Sequence, residues 1–147
     1  MLCAAGELWA PTHRKSLEIS FDEYSGWGDW APGPWVRFWP SSIRLECAAD
    51  FLQALLRLER HDERPAPQAP PWAFAGEGTI DVVLMLGLYS DLHEPWLPDV
   101  GIGPGRWQVA VWASGRAEAA ALPEDFDVSA QGFPNGPERW LLQFWPG

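Results

Sequence analysis

The sequence predicts an all-β protein, a β-sandwich or partly open barrel of about seven strands with room for one short helix. Three observations lead there. Short apolar runs alternate with a period of two, the spacing of a strand with one buried face. The chain carries 15 prolines in 147 residues, and proline removes a backbone donor and clashes with the preceding helical turn, which disfavours long helices. It also carries 11 tryptophans, whose broad side chains suit half-buried strand faces. The length fits one domain, residues 1–147, large enough to bury roughly 70% of the surface of its unfolded chain.

The strands follow in order. Residues 17–22 alternate, with Leu17, Ile19 and Phe21 on one face and Glu18, Ser20 and Asp22 on the other. Residues 23–34 hold Gly26, Gly28, Pro32, Gly33 and Pro34 and read as a loop. A short strand over 35–39 stops at Pro40, and 43–47 alternates again with Ile43, Leu45 and Cys47 inward. Residues 51–60 fit two readings. Helix propensity is high and Asp50 could cap a helix, yet Leu52, Ala54, Leu56 and Leu58 alternate; the strand is the preferred one.

Residues 61–78, with Pro65, Pro67, Pro70 and Pro71, read as an extended loop. The strongest strand spans 79–90, its buried face running Ile80, Val82, Leu84, Leu86 and Leu88. A loop over 91–106 leads to a strand over 107–114. Residues 115–138 are acidic and rich in Pro and Gly, with a helical turn or two over Ala117–Leu122. Residues 139–145 close the chain as a strand before Pro146. No βαβ alternation is present, which favours a sandwich or barrel over a parallel α/β sheet.

Composition narrows the function. The net charge is −10, from 20 acids and 10 bases. Such a chain repels phosphate backbones and anionic membranes and favours a basic protein partner. Cys3 and Cys47 are too few for a disulfide framework and fit a reducing compartment. The first residues lack the charged and apolar segments of a secretory signal, and no apolar run reaches the ~20 residues of a membrane helix. A soluble, cytoplasmic protein is expected.

The motifs that could carry chemistry have plainer readings. Gly101-Ile102-Gly103-Pro104-Gly105 precedes a strand, whereas a phosphate loop needs a helix behind it; a tight turn is expected. His61-Asp62-Glu63 and Asp91-Leu92-His93-Glu94 lack the spacing that sets two ligands on one face, so solvated loop histidines are expected and no metal or cofactor is. Cys47 falls on the apolar side of its strand, a core position where a thiol is inert; Cys3 reads as part of a loose terminus. No nucleophile elbow is present, and the acidic clusters read as solvated surface. No catalytic residue is assigned and the chain is not expected to be an enzyme.

The segment from Asp22 to Trp35 stands apart. It interleaves Asp22, Glu23 and Asp29 with Tyr24, Trp27, Trp30 and Trp35. Tryptophan and tyrosine dominate interface hot spots, and an acidic rim speeds encounter with a basic partner. Asp22, Glu23, Trp27, Asp29 and Trp30 are therefore the expected partner contacts. The alternative is that these tryptophans cap an open end of the core.

The C-terminal half also carries a recognisable pattern. Gly101-Ile102-Gly103-Pro104-Gly105-Arg106-Trp107 leads into a strand ending Gly115-Arg116. An acidic loop and a closing strand, Glu138-Arg139-Trp140-Leu141-Leu142-Gln143-Phe144-Trp145-Pro146, follow. Over about residues 76–147 this resembles an uncharacterised family of small bacterial β-rich proteins, distantly similar to competence-nuclease inhibitors. The resemblance implies a β fold and no catalytic residues.

Together these readings lead to the expectation of an acidic protein-binding module, an immunity or inhibitor protein that neutralises a basic toxin or nuclease. Two alternatives stand beside it. One is a small-ligand or carbohydrate-binding β domain in which tryptophans stack on the ligand. The other is a structural homo-oligomer joined along the 139–145 strand, apolar on both faces and adhesive if it lies at a sheet edge.

Overall fold

The computed structural model describes residues 1–12, 15–21, 35–50, 52–83, 87–89, 98–122 and 134–147. Among them nine strands and one short helix follow the order β1 (Leu2–Pro11), β2 (Ser16–Ser20), β3 (Val36–Trp39), β4 (Ser42–Glu46), β5 (Gln53–His61), β6 (Ala73–Val82), β7 (Gly87–Tyr89), β8 (Gly105–Ser114), α1 (Arg116–Ala120) and β9 (Asn135–Pro146). They form a five-stranded sheet, β1-β5-β9-β8-β6, and a four-stranded sheet, β3-β4-β2-β7. The fold is thus an all-β sandwich and no closed barrel, with two strands more than the seven expected.

One apolar core lies between the sheets. Leu17, Ile19, Ile43 and Leu45 from the smaller sheet meet Leu56, Leu58, Val109, Val111, Leu142 and Phe144 from the larger. Phe21 packs edge-on to Phe144, ring centroids 5.9 Å apart at 71°, the arrangement the aromatic quadrupole favours. Where the sheets approach closely, glycine makes room. A Cβ on Gly78 of β6 would lie 2.6 Å from the Phe38 ring of β3.

The two readings of 51–60 resolve to strand from Gln53 onward; residue 51 lies outside the described residues. Ala54, Leu56 and Leu58 point into the core while Leu55, Arg57 and Glu59 face outward. β5 is flanked by antiparallel β1 and parallel β9, so its alternation is satisfied on both sides and overrides its helix propensity.

Four expectations are corrected. The N-terminus is not loose. Leu2–Pro11 is a full edge strand, with Cys3 exposed within it. The proline-rich loop expected to reach residue 78 ends earlier, since β6 begins at Ala73. The single strand expected over 79–90 is two, for β6 ends at Val82 in the larger sheet and β7 pairs with β2 in the smaller. The chain therefore crosses between layers there; Leu84 and Leu86 lie outside the described residues.

Finally, the closing strand is no edge. β9 lies between β5 and β8. Apolar side chains are buried on both of its faces. Trp140, Leu142 and Phe144 enter the core, while Leu141 and Trp145 are buried on the outer face, with the Arg64 guanidinium of the β5–β6 connection over the Trp145 ring. No helix among the described residues is long and apolar enough to cross a membrane.

Candidate protein-interaction site

The expected contacts Asp22, Glu23, Trp27, Asp29 and Trp30 lie outside the described residues. The residues on either side of that segment are described, and both are anchored. Phe21 is fully buried, its N–H donating to the Ser41 carbonyl at 2.8 Å and its own carbonyl accepting from the Val83 N–H at 3.0 Å. At the other end the Trp35 carbonyl accepts from the Glu46 N–H at 2.7 Å. The Trp35 side chain is 43% exposed, and the Arg116 guanidinium carbon lies 4.1 Å from its ring centroid.

Arg116 is the first residue of α1, and its position follows from the chain beneath it. Gly115 takes φ +73°, and a Cβ there would sit 2.0 Å from the Pro137 carbonyl oxygen. Only glycine lets the helix start press so closely on β9. From there Arg116 donates to the Glu46 carbonyl and, at 3.2 Å, to Glu138 Oε2.

Glu138 is itself buried and fully engaged. Its Oε1 accepts from the Ala48 N–H at 2.8 Å and its Oε2 from Trp140 Nε1 at 2.9 Å. Burial, the largest influence, raises the Glu138 carboxyl above the usual carboxylate range, against the Ala48 N–H, Arg116 and Trp140, which favour the anion. Burial likewise pushes the neighbouring Cys47 thiol well up, and Glu138 adds to it, so Cys47 is the inert core thiol its strand position implies.

This cluster joins β4, α1 and β9 beside Trp35. Its members come from the strand ending Gly115-Arg116 and the closing strand Glu138-Arg139-Trp140, so the two halves of the C-terminal pattern meet in space. Sequence reading assigned neither Arg116 nor Glu138 a role. The available signal was an acid set two residues before an inward tryptophan, on the same strand face as Leu142 and Phe144.

A second polar network lies on the outer face of the larger sheet. Arg57 donates to Glu7 Oε1 at 3.0 Å and to Glu59 Oε2 at 2.8 Å. Glu59 Oε1 lies 3.0 Å from His61 Nε2 and accepts from Gln143 Nε2 at 3.1 Å. Gln143 Oε1 accepts in turn from Trp112 Nε1 at 3.0 Å. Burial alone would raise the Glu59 carboxyl, but its bonds with Arg57, Gln143 and His61 outweigh that and hold it below its ordinary range.

His61 is therefore buried at the end of β5, not a solvated loop histidine. Its neighbour Asp62 pairs with the Met1 ammonium. His13 and His93 lie outside the described residues. Among the described residues no group of three or more His, Cys, Asp or Glu side chains is placed to hold a metal.

The glycine-rich segment runs without regular structure straight into β8. The Gly101 N–H donates to Asp99 Oδ1 at 2.9 Å, and Trp107 Nε1 donates to the Gly103 carbonyl at 2.9 Å. Gly101 and Gly105 take φ of 80° and 135°, and β8 follows directly, with no helix N-terminus for an anion.

No protein-family model and no curated protein matches the sequence. The fold is similar to that of solved structures. One of these is ComJ, inhibitor of the DNA degrading activity of NucA, from Bacillus subtilis. The likeness covers 100% of this chain and 99% of ComJ at a TM-score of 0.55 and 12% identity. A second, described as Crocagin biosynthetic gene J, matches over 97% of this chain and 96% of its own at a TM-score of 0.49 and 18% identity. The resemblance to competence-nuclease inhibitors inferred from the C-terminal half therefore holds as a likeness of fold, across the whole chain.

Proposed function

We propose that this chain is an inhibitor or immunity protein that binds and neutralises a basic toxin or nuclease. The observation that carries the reading is the end-to-end likeness of fold to ComJ, itself an inhibitor of a DNA-degrading activity. The charge supports it. With a net −10 the chain can approach a cleft built to hold a polyanion, and electrostatic attraction speeds that encounter.

The contacts proposed are Asp22, Glu23, Trp27, Asp29 and Trp30. The acids steer and the two tryptophans supply desolvated anchors. Trp35, half-exposed and held over Arg116, continues the same stretch of chain on the described side.

The test is a pull-down with tagged protein from its own cells at low and at high salt, followed by assay of the recovered partner's hydrolytic activity. A basic protein released by salt, and inhibited stoichiometrically by added chain, is the expected result. Trp27→Ala/Trp30→Ala should weaken that inhibition at least tenfold while the unfolding midpoint stays within about 0.5 kcal/mol of wild type. A midpoint that collapses would assign these tryptophans to the core instead.

A further inference from the structure

Among the described residues, the outer face of the larger sheet is covered at one end and carries exposed aromatic side chains at the other. At one end the β5–β6 connection lies over it, with Arg64 above Trp145 and paired to Glu77 at 2.7 Å. At the other end an aromatic band crosses the sheet. Trp9 stands beside Leu55, and Trp112 packs edge-on to Phe74 with centroids 5.2 Å apart. Trp9 is 37% and Phe74 55% exposed. An apolar patch of this kind on a charged protein marks a contact surface.

The band is also rigid. The Trp112 indole is fixed by Gln143, which is fixed by Glu59, which is fixed by Arg57. Side chains already held in one rotamer lose little entropy on association.

Charge indicates the occupant. The chain carries −10 overall, yet this face is balanced. Arg106 pairs with Asp81 at 3.3 Å, Arg64 with Glu77, and Arg57 serves both Glu7 and Glu59. That sharing leaves one surplus negative charge, at the exposed Glu7 end. Arg139 is exposed on the same face, next to Leu55 in register, and has no ionic partner among the described residues. One surplus anion and one surplus cation in the same patch make it self-complementary, which a two-fold contact requires.

We propose that the chain forms a two-fold dimer through this face. Trp9, Leu55, Trp112 and Phe74 of the two copies form the centre, and Arg139 of each copy meets Glu7 of the other. The contact is independent of the 22–34 segment, so it can hold whether or not the inhibitor reading does.

Light scattering and sedimentation of the full chain across a wide concentration range test this. Wild type should run at twice the monomer mass and dissociate on dilution. Phe74→Glu, a substitution at an exposed site, should yield monomer with the thermal midpoint of wild type diluted to monomer. Arg139→Glu and Glu7→Arg should each be monomeric alone. Mixed together they should restore the dimer, because each then supplies the charge the other lacks. A wild-type monomer at every concentration overturns the proposal. So does a dimer that survives Phe74→Glu, or a mixture of the two charge variants that stays monomeric.

Discussion

The Arg116 guanidinium lies over the Trp35 indole, 4.1 Å from its ring centroid, while the same group pairs with the buried Glu138. One cation thus ties the residue that follows the 22–34 segment to the central strand of the larger sheet. The pairing is dry on one side and wet on the other. The Glu138 side chain is only 5% exposed, whereas Trp35 reaches solvent. A cation held this way stabilises the fold and orients an exposed aromatic at once.

Removing Arg116 should therefore be expensive. Arg116→Ala leaves Glu138 buried without its cation and should cost about 3 kcal/mol, read as a shift in the urea midpoint. Arg116→Lys keeps the charge but loses the planar stack and the fork that reaches both the Glu46 carbonyl and Glu138, and should recover only part of the loss. If Lys restores stability in full, the stack over Trp35 contributes nothing.

Gly115 and Gly103 offer a paired comparison. Gly115→Ala must place a Cβ against the Pro137 carbonyl at φ +73°. It should destabilise by about 2 kcal/mol or more, since the left-handed conformation alone costs an L-residue about 1–2 kcal/mol. Gly103→Ala meets nothing within 4 Å and has no positive φ, so its midpoint should match wild type to about 0.5 kcal/mol. Equal effects at the two sites would mean that the close approach of α1 to β9 is not as described.

Much of this architecture was legible in the residues. β2 and β4 announce themselves by strict alternation, because each buries one face of branched or long apolar side chains; β5 alternates on its inner face but also carries Leu55 and a helix-favouring composition, and so fits two readings. β1 does not announce itself, since its inward row is Ala4, Gly6, Leu8 and Ala10. Small side chains are required there, as a Cβ on Gly6 would lie 2.5 Å from Pro98, and they carry almost no hydrophobic signal. The break between β6 and β7 was hidden for the opposite reason. An unbroken apolar run is compatible with either sheet, so apolarity cannot report a change of layer. The Arg116–Glu138 pair spans two distant segments, and periodicity is blind to contacts of that kind.

The two cysteines should separate cleanly by reactivity. Cys3 is exposed on β1, while Cys47 is buried with its thiol pushed well up by desolvation. A thiol reagent should titrate one group in the native protein and the second only in denaturant. Two native equivalents would mean that the chain around Cys47 opens far more readily than its packing against Glu138 and Trp140 implies.

The carboxyls of Glu59 and Glu138 should bend the stability–pH curve in opposite directions. Glu59 titrates below its unfolded value, which is about 4.3 for a free glutamate, because Arg57, Gln143 and His61 hold the anion. Its contribution is therefore complete above that unfolded value and is lost as pH falls through the lower folded one. Glu138 titrates above its unfolded value because burial disfavours the anion. Its contribution is complete below the unfolded value and declines as pH rises through the folded one. Glu59→Gln should cost about 2 kcal/mol near neutrality, the worth of hydrogen bonds to a charged group, and should flatten the acid limb of the curve. Glu138→Gln should cost more at low pH than at neutral pH, since the contribution of the raised carboxyl is complete only below its unfolded value. Urea midpoints from about pH 3 to 8 separate the two slopes. Loss of stability in both variants with no change in either slope would show that neither carboxyl changes its affinity for protons on folding.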